Sequence, residues 1–487
     1  MNKRAFFILL LAALLSSALF AGWSEMQRLT YRGNEINPQV VVRNDTVHVA
    51  WQQAGGAVSY IRSTDNGYSW DTLIDLTEAG HTGSFPNLVI TNEKIWVGWM
   101  DNNGAIALRS SPNGGAWNAP IYKYTVDSQR FTFLCLAVNA DTIFISYMSF
   151  IDDSTGLMPF KFLRSPDGGQ TWNNLITFAH LQQNAALTGH VLSFCGGNLI
   201  FVCDPDIDSL GGGPHITGYV SYDIGDHWTG PILISPAQQA WALLPSLSCN
   251  HVNYQLALGY KDYRYQQYPF YGDIFAKLSE SDPNQWGEES QVTNNHMAKQ
   301  PSISFSGNSL VCVWMDRTYF PAGDDEIFFN SSSDAGITWN GVQRLTNTPA
   351  TSAYPCIYNN NDTIHVVWYE DDINGNQSLD IYYMKYTPDT SDIVDDENTK
   401  PSSFNLSAYP NPFNSTLLIN IDAEESGSIY ISDILGRFIS ELKYPKGVSS
   451  LKWLATDKSG KALPSGAYFI KNKGGGYNNV LKVMYLK

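Results

Sequence analysis

From Asn37 to Tyr386 the chain alternates short apolar runs with clusters of Gly, Asn, Asp, Ser and Pro, and helical spacing of apolar residues is almost absent. Alternation bounded by turn residues predicts β-strands. The same four short strands can be followed in one stretch after another. The first often opens after a proline, at Pro38, Pro86, Pro245, Pro301 and Pro355. The second ends in an aromatic residue, as in VHVAW, IWVGW, IFISY, LVCVW and IHVVW. The third leads into an octamer of the form Ser-x-Asp-x-Gly-x-Thr-Trp, and the fourth follows its Trp, as in WDTLIDLT and WNGVQRLT.

Full octamers stand at Ser165–Trp172 (SPDGGQTW) and Ser332–Trp339 (SSDAGITW). Ser63–Trp70 and Ser221–Trp228 keep Ser, Asp, Gly and Trp, whereas Ser110–Trp117 and Ser279–Trp286 have Pro112 and Ser281 in the Asp position. The tryptophans recur 47 to 58 residues apart, an interval that suits a four-stranded propeller blade. Second strands end at seven places: Trp51, Trp99, Tyr147, Cys203, Tyr260, Trp314 and Trp368. The stretch Trp23–Thr30 (WSEMQRLT) matches Trp339–Thr346 (WNGVQRLT), which assigns the N-terminus as the fourth strand of a blade made otherwise by Pro355–Tyr386. The expectation is an all-β chain with a seven-bladed β-propeller over residues 22–386, closed by pairing of its N- and C-terminal strands.

The octamer resembles the Asp box of bacterial neuraminidase repeats in the sialidase superfamily. That resemblance implies a scaffold role on the face opposite an active site. The residues involved are Ser63, Asp65, Gly67 and Trp70; Ser165, Asp167, Gly169 and Trp172; Ser221, Asp223, Gly225 and Trp228; Ser332, Asp334, Gly336 and Trp339. Ser and Asp side chains can satisfy turn N–H groups, Gly can take positive φ, and Trp can pack between sheets.

The two ends of the chain read differently. Lys3 and Arg4 precede an apolar run to Leu15 and small residues up to Ala21, which predicts a secretory signal peptide over 1–21 and no transmembrane segment after its cleavage. Residues 387–403 are acidic and rich in Asp, Ser and Thr, as in a solvated linker. Beyond them come Tyr409-Pro-Asn-Pro-Phe413, Asp433-Ile-Leu-Gly-Arg437, Leu463-Pro-Ser-Gly-Ala-Tyr-Phe469 and a terminal KVMYLK. These blocks are similar to the C-terminal sorting domain of the type IX (Por) secretion system. The resemblance implies an immunoglobulin-like sandwich over 404–487, the type IX machinery as a partner, and a secreted or surface location in a Gram-negative bacterium.

Charge limits the partners. Residues 23–401 hold 18 basic and 40 acidic side chains, a balance that repels nucleic acid and anionic lipid. Six cysteines all sit in apolar strand-like runs, and buried free thiols are the favoured expectation over bridges. Export leaves extracellular glycan or glycoprotein as the expected ligand. The loops opposite the octamers are longest in blades five to seven (KDYRYQQYPFYGD, MDRTYFPAGDDE, YEDDINGNQSLD), so function is expected there.

Tyr263, Tyr265, Tyr271 and Tyr319 are candidates for stacking on sugar rings, and Arg130, Arg264, Arg317 and Lys299 for holding an acidic group. Asp262, Asp316 and Glu370 each follow the aromatic end of a second strand by two residues. They are candidate catalytic carboxylates if the chain is a hydrolase, with inter-blade hydrogen bonding as the simpler reading. The sialidase resemblance would require arginine where Ile36 stands in Glu35-Ile36-Asn37-Pro38, so a sialidase-like glycosidase is the second reading and an adhesive scaffold the third. Asp204, Asp206 and Asp208 alternate as calcium ligands can, but without the Gly and Glu of an EF-hand loop; no other cofactor is expected.

Overall fold

The structure is a computed structural model. It describes residues 22–124, 131–149, 158–173, 176–181, 189–204, 214–236, 241–250, 253–266, 270–279, 282–318, 324–360, 363–371, 378–388, 405–411, 413–423, 426–433, 438–456, 461–472 and 480–487. The expected signal peptide lies outside these residues, as does nearly all of the expected linker. The chain divides into two compact units, Met1–Asp389 and Thr390–Lys487.

Among the described residues every regular element is a β-strand. In the first unit they form seven antiparallel sheets, each built from consecutive strands: I (35–75), II (83–124), III (131–181), IV (190–233), V (242–291), VI (298–344) and VII (352–387). Sheet VII gains two short N-terminal strands, Gly22–Trp23 and Gln27–Arg28, which pair with Asp380–Thr387 (Trp23 opposite Tyr386, Gln27 opposite Tyr383). The first strand of each sheet packs against the first strand of the next, and that of VII packs against that of I.

Seven hydrophobic cores lie between successive sheets. One joins Ala50, Tyr60 and Val58 of sheet I to Val97, Trp99 and Ala107 of sheet II. Another joins Val47, Val49 and Trp51 of sheet I to Val367, Ile381 and Tyr383 of sheet VII. A sheet buried on both faces needs apolar residues on both sides of its strands. This is why the second strands read as continuous apolar runs such as IWVGW rather than as strict alternation.

The octamers are clips. In Ser332–Trp339 the Ser332 hydroxyl accepts from Gly336 N (2.7 Å), while Asp334 Oδ1 takes the Ser332 hydroxyl (2.7 Å) and Thr338 N (2.8 Å). The same pattern holds for Ser63, Ser165 and Ser221. Gly67, Gly169, Gly225 and Gly336 all have φ between +82° and +94°. A Cβ on Gly67 would meet the Tyr383 hydroxyl at 2.1 Å, so both backbone and space demand glycine there. In the degenerate copy the clip shifts by one residue: Ser111, not Ser110, accepts from Gly114 N (2.8 Å), so this turn is one residue shorter.

The expectation of six free thiols is corrected for two of them. Cys195 and Cys249 form a disulfide linking the first strands of sheets IV and V; Cys135, Cys203, Cys312 and Cys356 are free. The two bridged positions lie far apart in sequence, and only the packing of adjacent sheets brings them together.

The second unit has a three-stranded sheet (Asn405–Tyr409, Leu417–Ala423, Gly447–Trp453) and a four-stranded one (Gly427–Asp433, Phe438–Tyr444, Gly466–Asn472, Val480–Tyr485). Ile419, Ile421, Ile431, Trp453, Ile470 and Val483 fill the core that they share. The Tyr409–Phe413 motif pins the last strand. Asn411 donates to Lys482 O (2.9 Å) and accepts from Met484 N (2.8 Å), and Phe413 N donates to Met484 O (2.9 Å).

Candidate functional site

At the end of the sheets where the first strands begin, six of those seven strands carry a bulge. In sheets I, II, V, VI and VII the first strand has one extra residue, so that two residues, the second of them proline, stand opposite the aromatic that ends the second strand: Trp51, Trp99, Tyr260, Trp314 or Trp368. Proline offers no N–H to the ladder and is tolerated at a bulge, while the aromatic opposite is fully buried.

The residue before each proline takes left-handed backbone: Asn37, Phe85, Leu244, Gln300 and Tyr354, with φ between 50° and 58°. Phe133 of sheet III does the same without a proline (φ 54°). Each such residue costs about 1–2 kcal/mol of backbone strain. The bulge turns these six side chains away from the pleat, and together they make a collar. Phe133 and Tyr354 are each 40% exposed, and the other four are half-buried. Phe85 and Phe133 pack at 4.9 Å between ring centroids, and Tyr354 stacks on Tyr369 at 5.5 Å.

At three places the collar is tied between sheets by the residue just after the end of a second strand. Gln52 Oε1 of sheet I accepts from Phe85 N of sheet II (3.0 Å), Asp204 Oδ2 of sheet IV from Leu244 N of sheet V (2.9 Å), and Met315 Sδ of sheet VI from Tyr354 N of sheet VII (3.3 Å). In sheet V this position is Lys261, which cannot accept. Its ammonium donates instead to the Tyr263 hydroxyl (2.7 Å) and Phe270 O (3.3 Å).

Lys261 is 1% exposed. Burial, helped by the nearby charge of Lys299 and opposed by Asp204, lowers its pKa to about 7. Between pH 7 and about 10 the unfolded chain therefore binds more protons at this residue than the folded one, so the wild type gains stability as pH rises through that window. Lys261→Met is expected to raise Tm at pH 7 by a few degrees, roughly 2–4 °C per kcal/mol, and to flatten this rise. Thermal unfolding at pH 7, 8.5 and 10 checks it; equal slopes for both proteins would contradict it.

A second Lys–Tyr pair joins sheet V to sheet VI. Lys299 Nζ reaches the Tyr271 hydroxyl (3.0 Å) and Asp325 Oδ2 (2.9 Å), and Tyr271 donates to Asp325 Oδ1 (3.0 Å). Arg317 lies 5.7 Å from the Tyr271 ring centroid. Trp241 packs edge-on to Tyr263 at 6.3 Å and is half exposed, as is Tyr265 beside His296.

Arg264 is committed elsewhere. Its guanidinium grips both oxygens of Asp262 (Nε–Oδ1 2.9 Å, Nη2–Oδ2 2.8 Å) and both of Glu289, above the Phe275 ring. Burial alone would lower its pKa, yet these bonds raise it.

The three candidate carboxylates are buried and turn inward. Asp262 takes Arg264. Asp316 takes Trp314 Nε1 (3.0 Å), Asn295 Nδ2 (2.8 Å) and Thr318 N (2.8 Å). Glu370 takes Trp368 Nε1 (3.0 Å), and burial raises its pKa. These bonds lie mostly within one sheet; the bonds between sheets come from the position one residue earlier.

Arg130, Tyr319, Asp206 and Asp208 lie outside the described residues. Asp204 is fully buried on the backbone N–H groups of Gly189 (2.8 Å) and Leu244. Among the described residues no group of three or more His, Cys, Asp or Glu side chains could hold a metal. The collar, Lys261, Asp325 and Trp241 were not singled out from the sequence. A signal existed for Lys261: its counterparts include Met100, Met148 and Met315, so a lysine there breaks the pattern.

Residues 407–485 match the family of secretion system C-terminal sorting domains. The protein is therefore a type IX substrate, secreted or displayed at the cell surface of a Gram-negative bacterium of the Bacteroidetes type. No protein with a curated description matches the sequence. Solved structures overlap it at low identity. One is a protein of unknown function from Dyadobacter fermentans (12% identity, 74% of this chain and 99% of that one, TM-score 0.45). Another is an ulvan lyase of a new polysaccharide lyase family (11%, 73% and 95%, 0.48). A third is the alpha-L-arabinanase of Penicillium chrysogenum complexed with arabinobiose (13%, 62% and 92%, 0.43). At such identities none of their activities transfers to this chain.

Proposed function

We propose that residues 22–386 form a closed seven-bladed β-propeller of sialidase-like, Asp-box type that binds extracellular glycan through the collar face. The cyclic packing of the first strands and the core shared by sheets VII and I support the closed ring. In the same reading, residues 1–21 are a signal peptide, 387–403 a linker, and 404–487 an immunoglobulin-like sandwich that addresses the propeller to the type IX machinery. The collar carries the functional reading. Six residues in left-handed backbone stand around one rim, and they offer aromatic faces (Phe85, Phe133, Tyr354) beside amides (Asn37, Gln300). Aromatic faces suit the C–H surface of a sugar ring, and amides suit its hydroxyls. Binding is favoured over hydrolysis because Asp262, Asp316 and Glu370 are each spent on a buried neighbour, whereas a glycosidase needs two carboxyl groups facing the scissile bond.

A glycan array probed with the mature chain tests this. Hits are expected, and Phe133→Ala and Tyr354→Ala are each expected to weaken the best of them about tenfold. Both side chains are exposed enough for the fold to survive. A silent array, or hits indifferent to both substitutions, would leave protein–protein adhesion as the better account.

A further inference from the structure

We infer that the octamer end of sheets V and VI carries a docking cleft for a phenylalanine side chain presented by a partner polypeptide. This end is opposite the collar, and the cleft does not depend on the glycan reading. What points to it is a ring that the molecule supplies at its other seams and omits at this one.

Four sheets set an aromatic ring of the third strand edge-on against a tryptophan of the next sheet. Tyr60 meets Trp117, Phe162 meets Trp228, Phe329 meets Trp23 and Tyr383 meets Trp70, with centroids 4.9 to 5.0 Å apart and planes at 75° to 81°. Three of these rings also lie against the clip glycine of that next sheet: a Cβ on Gly114, Gly225 or Gly67 would strike Tyr60, Phe162 or Tyr383. Across the ladder from each ring, on the fourth strand of its own sheet, stands Ile74, Ile176, Gln343 or Gln27.

In sheet V the same cross-strand pair is Ala276 and Ser290. Sheet II fills its place with Leu108 and Ile121, and in sheet IV the room beside Gly218 is taken by Ile234, 2.9 Å from where a Cβ would stand. Sheet V alone makes both positions small. Ser290 Oγ still accepts from Trp339 Nε1 of sheet VI (3.1 Å), as Gln343 accepts from Trp23 and Gln27 from Trp70 (both 3.0 Å). A Cβ on the clip glycine Gly336 would meet Leu310 (2.9 Å) and Trp339 itself, but no ring of sheet V. Where that ring is missing a cleft of about 650 Å³ opens to solvent, lined by Ala276, Leu278, Ser290, Leu310, Gly336 and Ile337 among others. It has room for a ring edge-on to Trp339.

The surroundings choose the ring. The phenols of Tyr60 and Tyr383 are each bonded to a histidine, His48 (2.6 Å) and His365 (2.9 Å). The register puts Ala257 in that place in sheet V, so a phenol entering the cleft would be buried without its partner. Phe162, which lies over Phe144 at the corresponding place in sheet III, is the closer model. At the mouth Ile337 is 76% exposed and can cover an apolar neighbour of the incoming Phe. Glu288 on the same rim is exposed, and the Lys277 ammonium is turned to Ile234 O (2.9 Å). In a body with 40 acidic and 18 basic side chains, a basic residue beside the Phe suits this mouth.

A phage library of random dodecapeptides, panned on the mature full chain, tests the inference, with the best peptide then titrated by fluorescence anisotropy. Enrichment of Phe with Lys or Arg close by is expected. Replacing that Phe by Ala should weaken the peptide about tenfold or more, and replacing it by Tyr should weaken it too. Ala276→Phe returns the missing ring to the repeat; it should raise Tm and weaken the peptide about tenfold or more. Ser290→Gln, the residue of sheets VI and VII, narrows the cleft and should also weaken the peptide; it carries the test if Ala276→Phe does not fold. No enrichment, enriched peptides without Phe, Tyr serving as well as Phe, or binding indifferent to both substitutions overturns the inference. So does a cleft that takes phenethylamine but no peptide, since it would then belong to a small ligand.

Discussion

The double variant Cys195→Ser/Cys249→Ser is expected to unfold with a stability about 4 kcal/mol below that of the oxidised wild type. The bridge closes a loop with a sequence separation of 54 residues, and most of its effect comes from restricting the unfolded chain. It joins the ends of two first strands, His190–Cys195 and Ala242–Cys249, so it also holds sheets IV and V together where they share a core. Urea unfolding of the exported protein, with and without reductant, measures the loss. The reduced wild type should fall to the level of the variant. The other four thiols should stay unreactive to a thiol reagent until the fold opens, because burial raises the thiol pKa of each, that of Cys135 to about 12. Coincident unfolding curves for the variant and oxidised wild type would mean that the bridge does not form.

Arg264→Met is expected to cost about 3 kcal/mol in stability. The guanidinium is the shared counter-charge of Asp262 and Glu289, and Tyr260 adds a hydrogen bond to Glu289 (2.7 Å). Removing it leaves two carboxylates facing each other across a half-buried gap above the Phe275 ring, and the loss of one partner from such a pair costs more than the pair itself contributed. Arg264→Lys should recover part of the loss, since one ammonium cannot grip both carboxylates bidentately. Glycan affinity should change little once the proteins are compared below their unfolding temperatures. A variant with wild-type Tm and lost affinity would return Arg264 to the ligand.

Much of this molecule could be read before its structure. The strand order within each sheet follows from local chemistry: an opening near proline, an apolar run ending in an aromatic, and a Ser-Asp-Gly clip whose bonds are all made within a few residues. Ser332, Asp334 and Gly336 need no distant partner to form their turn, so an octamer of sequence suffices to recognise it. The match between Trp23–Thr30 and Trp339–Thr346 placed the N-terminus on the last sheet for the same reason, and Gln27 indeed pairs with Tyr383. The sorting tail was legible from its motif blocks, although its Asn411 and Phe413 act on the last strand, more than 70 residues away.

The candidate site was legible only in outline. From the sequence, function is expected at the long-loop end of sheets V to VII, with Lys299, Tyr263 and Tyr271 among the candidates. The sequence could not tell that Arg264 is committed: Arg264 and Glu289 are 25 residues apart, and their contact exists only because the outer strand of sheet V folds back. Each proline and each strand-ending aromatic stands plainly in the sequence, but no local pattern shows that the proline-bearing bulge lies opposite the aromatic and turns the preceding side chain outward.

The sequence by itself determined the strands and the clips, because those depend on alternation, turn chemistry and short-range bonds, and the exported address, because its motif blocks can be recognised as sequence. Tertiary structure alone decided which cysteines meet, which charges cancel and which residues form the collar. Those outcomes depend on adjacent sheets packing first strand against first strand, a relation between segments roughly 50 residues apart that no local pattern encodes.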